Sequence, residues 1–185
     1  PPTAEPAWKK VDEETRPLLQ ADRPGDALAV LKKFAPPTEA DAKWKADATA
    51  GIEKHIAEGL ARITEGAAAH EAAGELEKAI AAWAPVAGWH VARCTEKADA
   101  EIARIRTLQR KAGEEAWRRD VLPALRRSTA DHLAAGTFDK AKADLDAAGQ
   151  SPTAVPAEIA DLRWCVDRLE GFRGDFQRLA TDKEV

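Results

Sequence analysis

The chain has 185 residues, 32% of them charged, and a formal net charge of −4 at pH 7. That balance neither demands a nucleic-acid partner nor excludes one, and no run approaches the roughly 18 apolar residues of a spanning helix. Strong helix formers dominate while Asn, Tyr and Met are absent, which predicts an all-α fold and fits the GC-rich genome of a bacterium.

Residues 1–6 read as a linker, and 7–185 as a single helical-repeat domain with units near 7–37, 38–88 and 89–149 and a terminal helix over 156–180. A Pro-rich opening without Met is expected where an anchor, signal or neighbouring domain has been removed. An extracytoplasmic location is therefore one expectation, and the compartment is otherwise unspecified.

A first short helix is expected from Ala7 to about Gln20, with Pro17 threatening its second half. Asp22-Arg-Pro-Gly25 is a turn, Asp26 is expected to cap the next helix, and Pro36-Pro37 stops it. Thr38 then caps a long helix reaching Ala73. Its stripe of Trp44, Ala48, Ile52, Ile56, Leu60, Ile63 and Ala67 keeps steps of three and four. Gly51, Gly59 and Gly66 in its interior require a close neighbour or a break. Residues 75–86 form a partner helix with Leu76, Ala79, Ile80, Trp83 and Val86 inward.

From Trp89 to Ala135 a second long reach carries the seam Ala98, Ile102, Ile105, Gln109, Ala112 and Ala116. Pro123 should split it near Val121. Residues 137–148 are the second partner helix, with Phe138, Ala141, Leu145 and Ala148 inward. After a loop, the last helix places Ile159, Leu162, Val166, Leu169, Phe172, Phe176 and Leu179 on its inner face.

One stretch is written twice. His70-Glu-Ala-Ala-Gly-Glu-Leu-Glu-Lys-Ala79 returns as His132-Leu-Ala-Ala-Gly-Thr-Phe-Asp-Lys-Ala141, with the His, both Ala, the Gly, the Lys and the final Ala identical. Each copy reads as a corner at which one helix ends on Gly and the next begins at once. Setting Ala27 on Ala79 and Ala141 aligns Leu31 with Trp83 and Leu145, a weaker third copy with Asp22 in place of the Gly. Ala157–Arg163 also echoes Ala100–Arg106.

This corner resembles the turn of a tetratricopeptide repeat. Gly74 and Gly136 fit its turn, Leu76 and Phe138 its large residue, and Ala79 and Ala141 the small packing residue of its second helix. The likeness is divergent, because the copies lie much further apart than the family period of about 34 residues. It implies antiparallel helical hairpins stacked as a short solenoid or elongated bundle, with long first and short second helices. It also implies a scaffold that binds another protein or holds a larger assembly together.

The candidate chemistry is sparse. His70 and His132 occupy equivalent corner places, too far apart to share a metal, and read as packing residues. His90-x-x-x-Cys94 with Cys165 lacks a fourth ligand. Cys94 and Cys165 are either buried free thiols or, in an oxidising compartment, a disulfide.

Arg104, Lys111, Arg118, Arg119 and Arg126 project onto one arc, offering a track for an acidic surface or a nucleic-acid backbone. Glu115, in the same arc, can pair with Arg119. Trp164 lies opposite the inner stripe of its helix and Trp117 to one side of its own, which makes both candidates for partner contact. No phosphate loop, nucleophile elbow or Glu-x-x-His pair is present. A non-enzymatic protein without cofactor is therefore expected, with another protein as partner and nucleic acid as the lesser alternative.

Overall fold

The computed structural model describes residues 6–181, with side chains for all of them except Phe176, Leu179, Ala180 and Thr181. Residues 1–5 of the expected linker, and the inward places expected of Phe176 and Leu179, fall outside that description. The described residues form eight α-helices, one 3-10 helix and no strand: α1 (Trp8–Gln20), α2 (Pro24–Lys33), α3 (Glu39–Ala72), α4 (Leu76–Ala82), a 3-10 helix (Ala84–Trp89), α5 (Ala92–Asp120), α6 (Leu122–Ala134), α7 (Phe138–Gly149) and α8 (Pro156–Thr181).

Local chemistry sets these limits. The Thr38 hydroxyl accepts the Asp41 backbone N–H at 3.1 Å and donates to the Asp41 carboxylate at 2.6 Å, which starts α3. Pro17 stays inside α1. Both Pro17 and Glu13 are exposed, so water can meet the Glu13 carbonyl that loses its helical donor. Arg23, not Asp26, stands at the N-cap of α2, with Pro24 in the first turn. α3 is unbroken, and of its three interior glycines only Gly59 has the expected close neighbour, the Trp89 ring 2.8 Å from where a Cβ would stand, whereas Gly51 and Gly66 have neither a neighbour within 4 Å nor a break. The chain breaks at Val121, just before Pro123, as the sequence predicts.

The chain divides into two compact units, Pro1–Thr107 and Leu108–Val185, with the boundary inside α5. In unit 1, Ile52, Ile56 and Ala67 of the predicted α3 stripe are buried, and Trp44, Ala48, Leu60 and Ile63 pack against them. Ala27, Leu31, Ala79, Trp83, Val86 and Trp89 close the same core. In unit 2, Trp117, Leu122, Leu125, Ala141, Leu145, Val155, Ile159 and Val166 form the core.

Two expectations about the inner faces are corrected. The α5 seam holds through Ala98 and Ile105, but Ala112 is exposed and Trp117 is buried instead. Beyond the unit boundary the inward face follows a different phase. In α8, Ile159 and Val166 are buried, but Leu169 and Phe172 are 46% and 49% exposed. The reason is phase: α6, α7 and the corner between them reach as far as Arg173, through Lys142 on Glu170 and the Gly136 carbonyl on Arg173, but Leu169 and Phe172 lie roughly 60° and 120° around the helix from Val166.

The three aligned corners share one backbone. Asp22, Gly74 and Gly136 have φ of 53°, 75° and 69°. In each corner the residue that follows donates its N–H to the carbonyl four before the left-handed residue: Arg23 to Leu18 (2.9 Å), Glu75 to His70 (2.9 Å) and Thr137 to His132 (2.8 Å). This pattern closes the exposed carbonyls of a helix end. Ala27, Ala79 and Ala141 are all fully buried, as are Leu31, Trp83 and Leu145 four places on. The sequence alignment did not single out Thr15, Ala67 and Thr129, which stand seven places before the left-handed residue and are also buried.

Candidate interaction face

α8 is fastened to unit 2 along its inner side. Val166 is fully buried, and Ile159 and Val155 lie in the same core. Charged contacts surround that core. Glu158 receives Arg118 at 3.4 Å and Arg126 at 3.1 Å, and Arg163 pairs with Asp146. Lys142 of α7 reaches Glu170 at 2.7 Å and Asp167 at 3.0 Å. Those two carboxylates, Glu170 foremost, push the Lys142 ammonium up to about 12. Arg173 donates to the Gly136 carbonyl at 2.9 Å and lies over the Phe138 ring.

The outer side carries the opposite composition. Trp164 is 64% exposed, Phe172 lines the same hollow, and Cys165, next in sequence, is also exposed. The Arg168 guanidinium lies 5.6 Å from the Trp164 ring centre and 5.3 Å from that of Phe172. Such cation–π contacts are worth about 0.5–1 kcal/mol at exposed sites. Arg168 makes no ion pair among the described residues. Gly171 has nothing within 4 Å of a Cβ position, which opens a shallow hollow of about 400 Å³ between Trp164, Arg168, Phe172 and Asp175. Burying such a surface is favourable by roughly 25 cal/mol per Å² of apolar area.

Of the two candidate Trp residues, only Trp164 is displayed. Trp117 is 3% exposed in the unit 2 core and cannot meet a partner from there. The sequence did not pick out Arg168, Gly171 and Phe172 as members of this face. The signal was available in the spacing Trp164, Arg168, Phe172, which returns to one side of a helix every four residues.

The basic stripe does not form a free cationic track. Arg104, in unit 1, binds Glu71 at 2.6 Å and Glu101 at 2.8 Å, and these carboxylates, Glu71 first, raise its pKa further. In unit 2, Arg118 and Arg126 share Glu158, while Arg119 pairs with Asp120 rather than Glu115. Lys111 makes no ion pair among the described residues. A nucleic-acid backbone would have to displace these carboxylates before gaining its own contacts.

The remaining candidates serve the fold. His70 Nδ1 lies 2.8 Å from Glu75 Oε2, and His132 Nδ1 lies 3.1 Å from Thr137 Oγ1, so each ring ties its own corner. Cys94 and Cys165 are free thiols, the first buried in unit 1 and the second exposed in unit 2, so no disulfide joins them. Among the described residues no three His, Cys, Asp or Glu are grouped to hold a metal ion, and no helix is long and apolar enough to cross a membrane. Compared with protein-family models, curated proteins and solved structures, the chain matches none.

Proposed function

We propose that this chain is a non-enzymatic, tetratricopeptide-like helical-repeat module that binds another protein or holds an assembly together through the outer face of α8. The observation that carries the reading is Trp164, 64% exposed on a helix whose inner side is held by buried apolar residues and ion pairs. A large aromatic on a rigid support, with Arg beside it, is the composition typical of interface hot spots. Three corners with a left-handed residue at the same place, Asp22, Gly74 and Gly136, and the same buried Ala support a design of stacked antiparallel hairpins. Their long first helices depart from the regular family repeat.

Affinity capture from the native source tests the reading. Wild type and Trp164→Ala, matched for folding, would be compared for the proteins they retain. Loss of specific partners on substitution supports the reading, and an unchanged set sinks it. A salt titration of the retained complex adds a second check, because a steep loss of affinity with salt would point to charge rather than to this apolar face.

A further inference from the structure

Resting on the reading of α8 as an interaction face, we infer that the occupant of this face is a second copy of the same chain, docked with its α8 antiparallel to the first.

The face is complementary to itself. It carries Phe172 next to the open space over Gly171. It also carries Arg168, which has no acidic partner among the described residues. Seven residues on stands an exposed Asp175, whose one ion pair among the described residues is with Arg178, one turn away on the surface. An antiparallel pairing centred between Gly171 and Phe172 sets residue 171 of one helix against residue 172 of the other, and 168 against 175. The two-fold then brings Phe172 beside Phe172 on one flank and Gly171 beside Gly171 on the other, and each Arg168 meets the second copy's Asp175. The Arg168–Asp175 contact occurs twice, as a two-fold interface requires. The small side at Gly171 lets the helices approach closely, and the rings of Trp164 and Phe172 leave water. A parallel pairing would instead set Arg168 against Arg168.

Sedimentation of the full chain across the micromolar range tests this inference, with circular dichroism confirming that each variant is folded. Wild type should dimerise, and Trp164→Ala or Phe172→Ala should weaken the dimer about tenfold or more. Arg168→Asp and Asp175→Arg should each weaken it alone. An equimolar mixture of those two variants should associate more tightly than either one, because each mixed pair restores opposite charges at both contacts. A merely structural role for either residue would not be rescued by mixing.

Oxidation gives the direction. The antiparallel pairing holds the two Cys165 about 20 Å apart along the axis, beyond disulfide reach, so no cross-linked dimer should form. A wild type that remains monomeric, a mixture no tighter than its components, or an efficient Cys165 cross-link would overturn the inference. A monomer that still captures another protein in a Trp164-dependent manner would overturn only the second copy as occupant. A monomer whose captured proteins ignore Trp164 would overturn the docking face as well.

Discussion

Arg173 closes over Gly136: its Nη1 donates to the Gly136 carbonyl at 2.9 Å, and the same guanidinium fills the space that a Cβ on Gly136 would need. The equivalent Gly74 has nothing within 4 Å of that space. Both glycines hold positive φ, so both resist a side chain, but only one is also covered. Gly74→Ala should cost about 1–2 kcal/mol from the left-handed backbone alone. Gly136→Ala should cost more, since it also expels Arg173 from its carbonyl. Urea unfolding of the two variants against wild type measures the difference, and equal losses would remove the role given to Arg173.

Gly59 and Gly66 make a second contrast on one helix. A Cβ at Gly66 meets nothing, so Gly66→Ala should stabilise by roughly 0.5–1 kcal/mol through helix propensity. At Gly59 a Cβ would press on the Trp89 ring at 2.8 Å. That ring cannot retreat freely, because its N–H is held by Asp22 at 2.9 Å. Gly59→Ala should destabilise by about 1–3 kcal/mol. Thermal melts that move in opposite directions are the expected result.

The two candidate tryptophans should separate on stability. Trp117→Ala empties a place that is 3% exposed and should cost about 3–5 kcal/mol. Trp164→Ala removes an exposed ring and should change stability by less than about 0.5 kcal/mol. Denaturant titration checks both. A large loss at Trp164 would mean that the ring supports the fold rather than an interface.

Acid should weaken the corners of unit 1. His90, and then Arg23, hold the Asp26 carboxyl below its ordinary range. Lys78, and then His70, do the same for Glu75. A depressed folded-state pKa gives stability that is present above the unfolded value and lost as pH falls through the folded one. The melting temperature should therefore decline as pH drops below about 5. Asp26→Asn and Glu75→Gln should flatten that decline and converge with wild type at the acid end. A parallel decline in the variants would assign the acid sensitivity to other groups.

Most of the fold could be read from local chemistry. Thr38 with Asp41, the break before Pro123 and the aligned Ala27, Ala79 and Ala141 are short-range signals, and the structure realises each one. The third corner was legible even with Asp22 in place of Gly, because an acidic side chain tolerates the left-handed region better than most. What periodicity could not supply was which arc of each helix the neighbours cover. It marked Leu169 and Phe172 as inward, but each step of three falls roughly 60° short of a full turn, so they drift off the face on which Val166 is buried. It also carried one seam through α5, although the inward phase changes where one unit ends and the next begins, and this misplaced Trp117. The interaction face was half visible: Trp164 stood out by phase, whereas Arg168 acquires its meaning only when it lies across two rings.

The Asp22–Trp89 bond joins residues 67 apart in sequence, and this orders events during synthesis. The first corner can close its own backbone as soon as Arg23 has left the ribosome, because its donor and acceptor are neighbours along the chain. Its side-chain lock must wait until the whole second corner and the following 3-10 helix have emerged. Local closure is fast and long-range closure is slow. The indole of Trp89 is therefore a natural clock for this chain: its N–H becomes protected from solvent exchange only when the first two corners are joined.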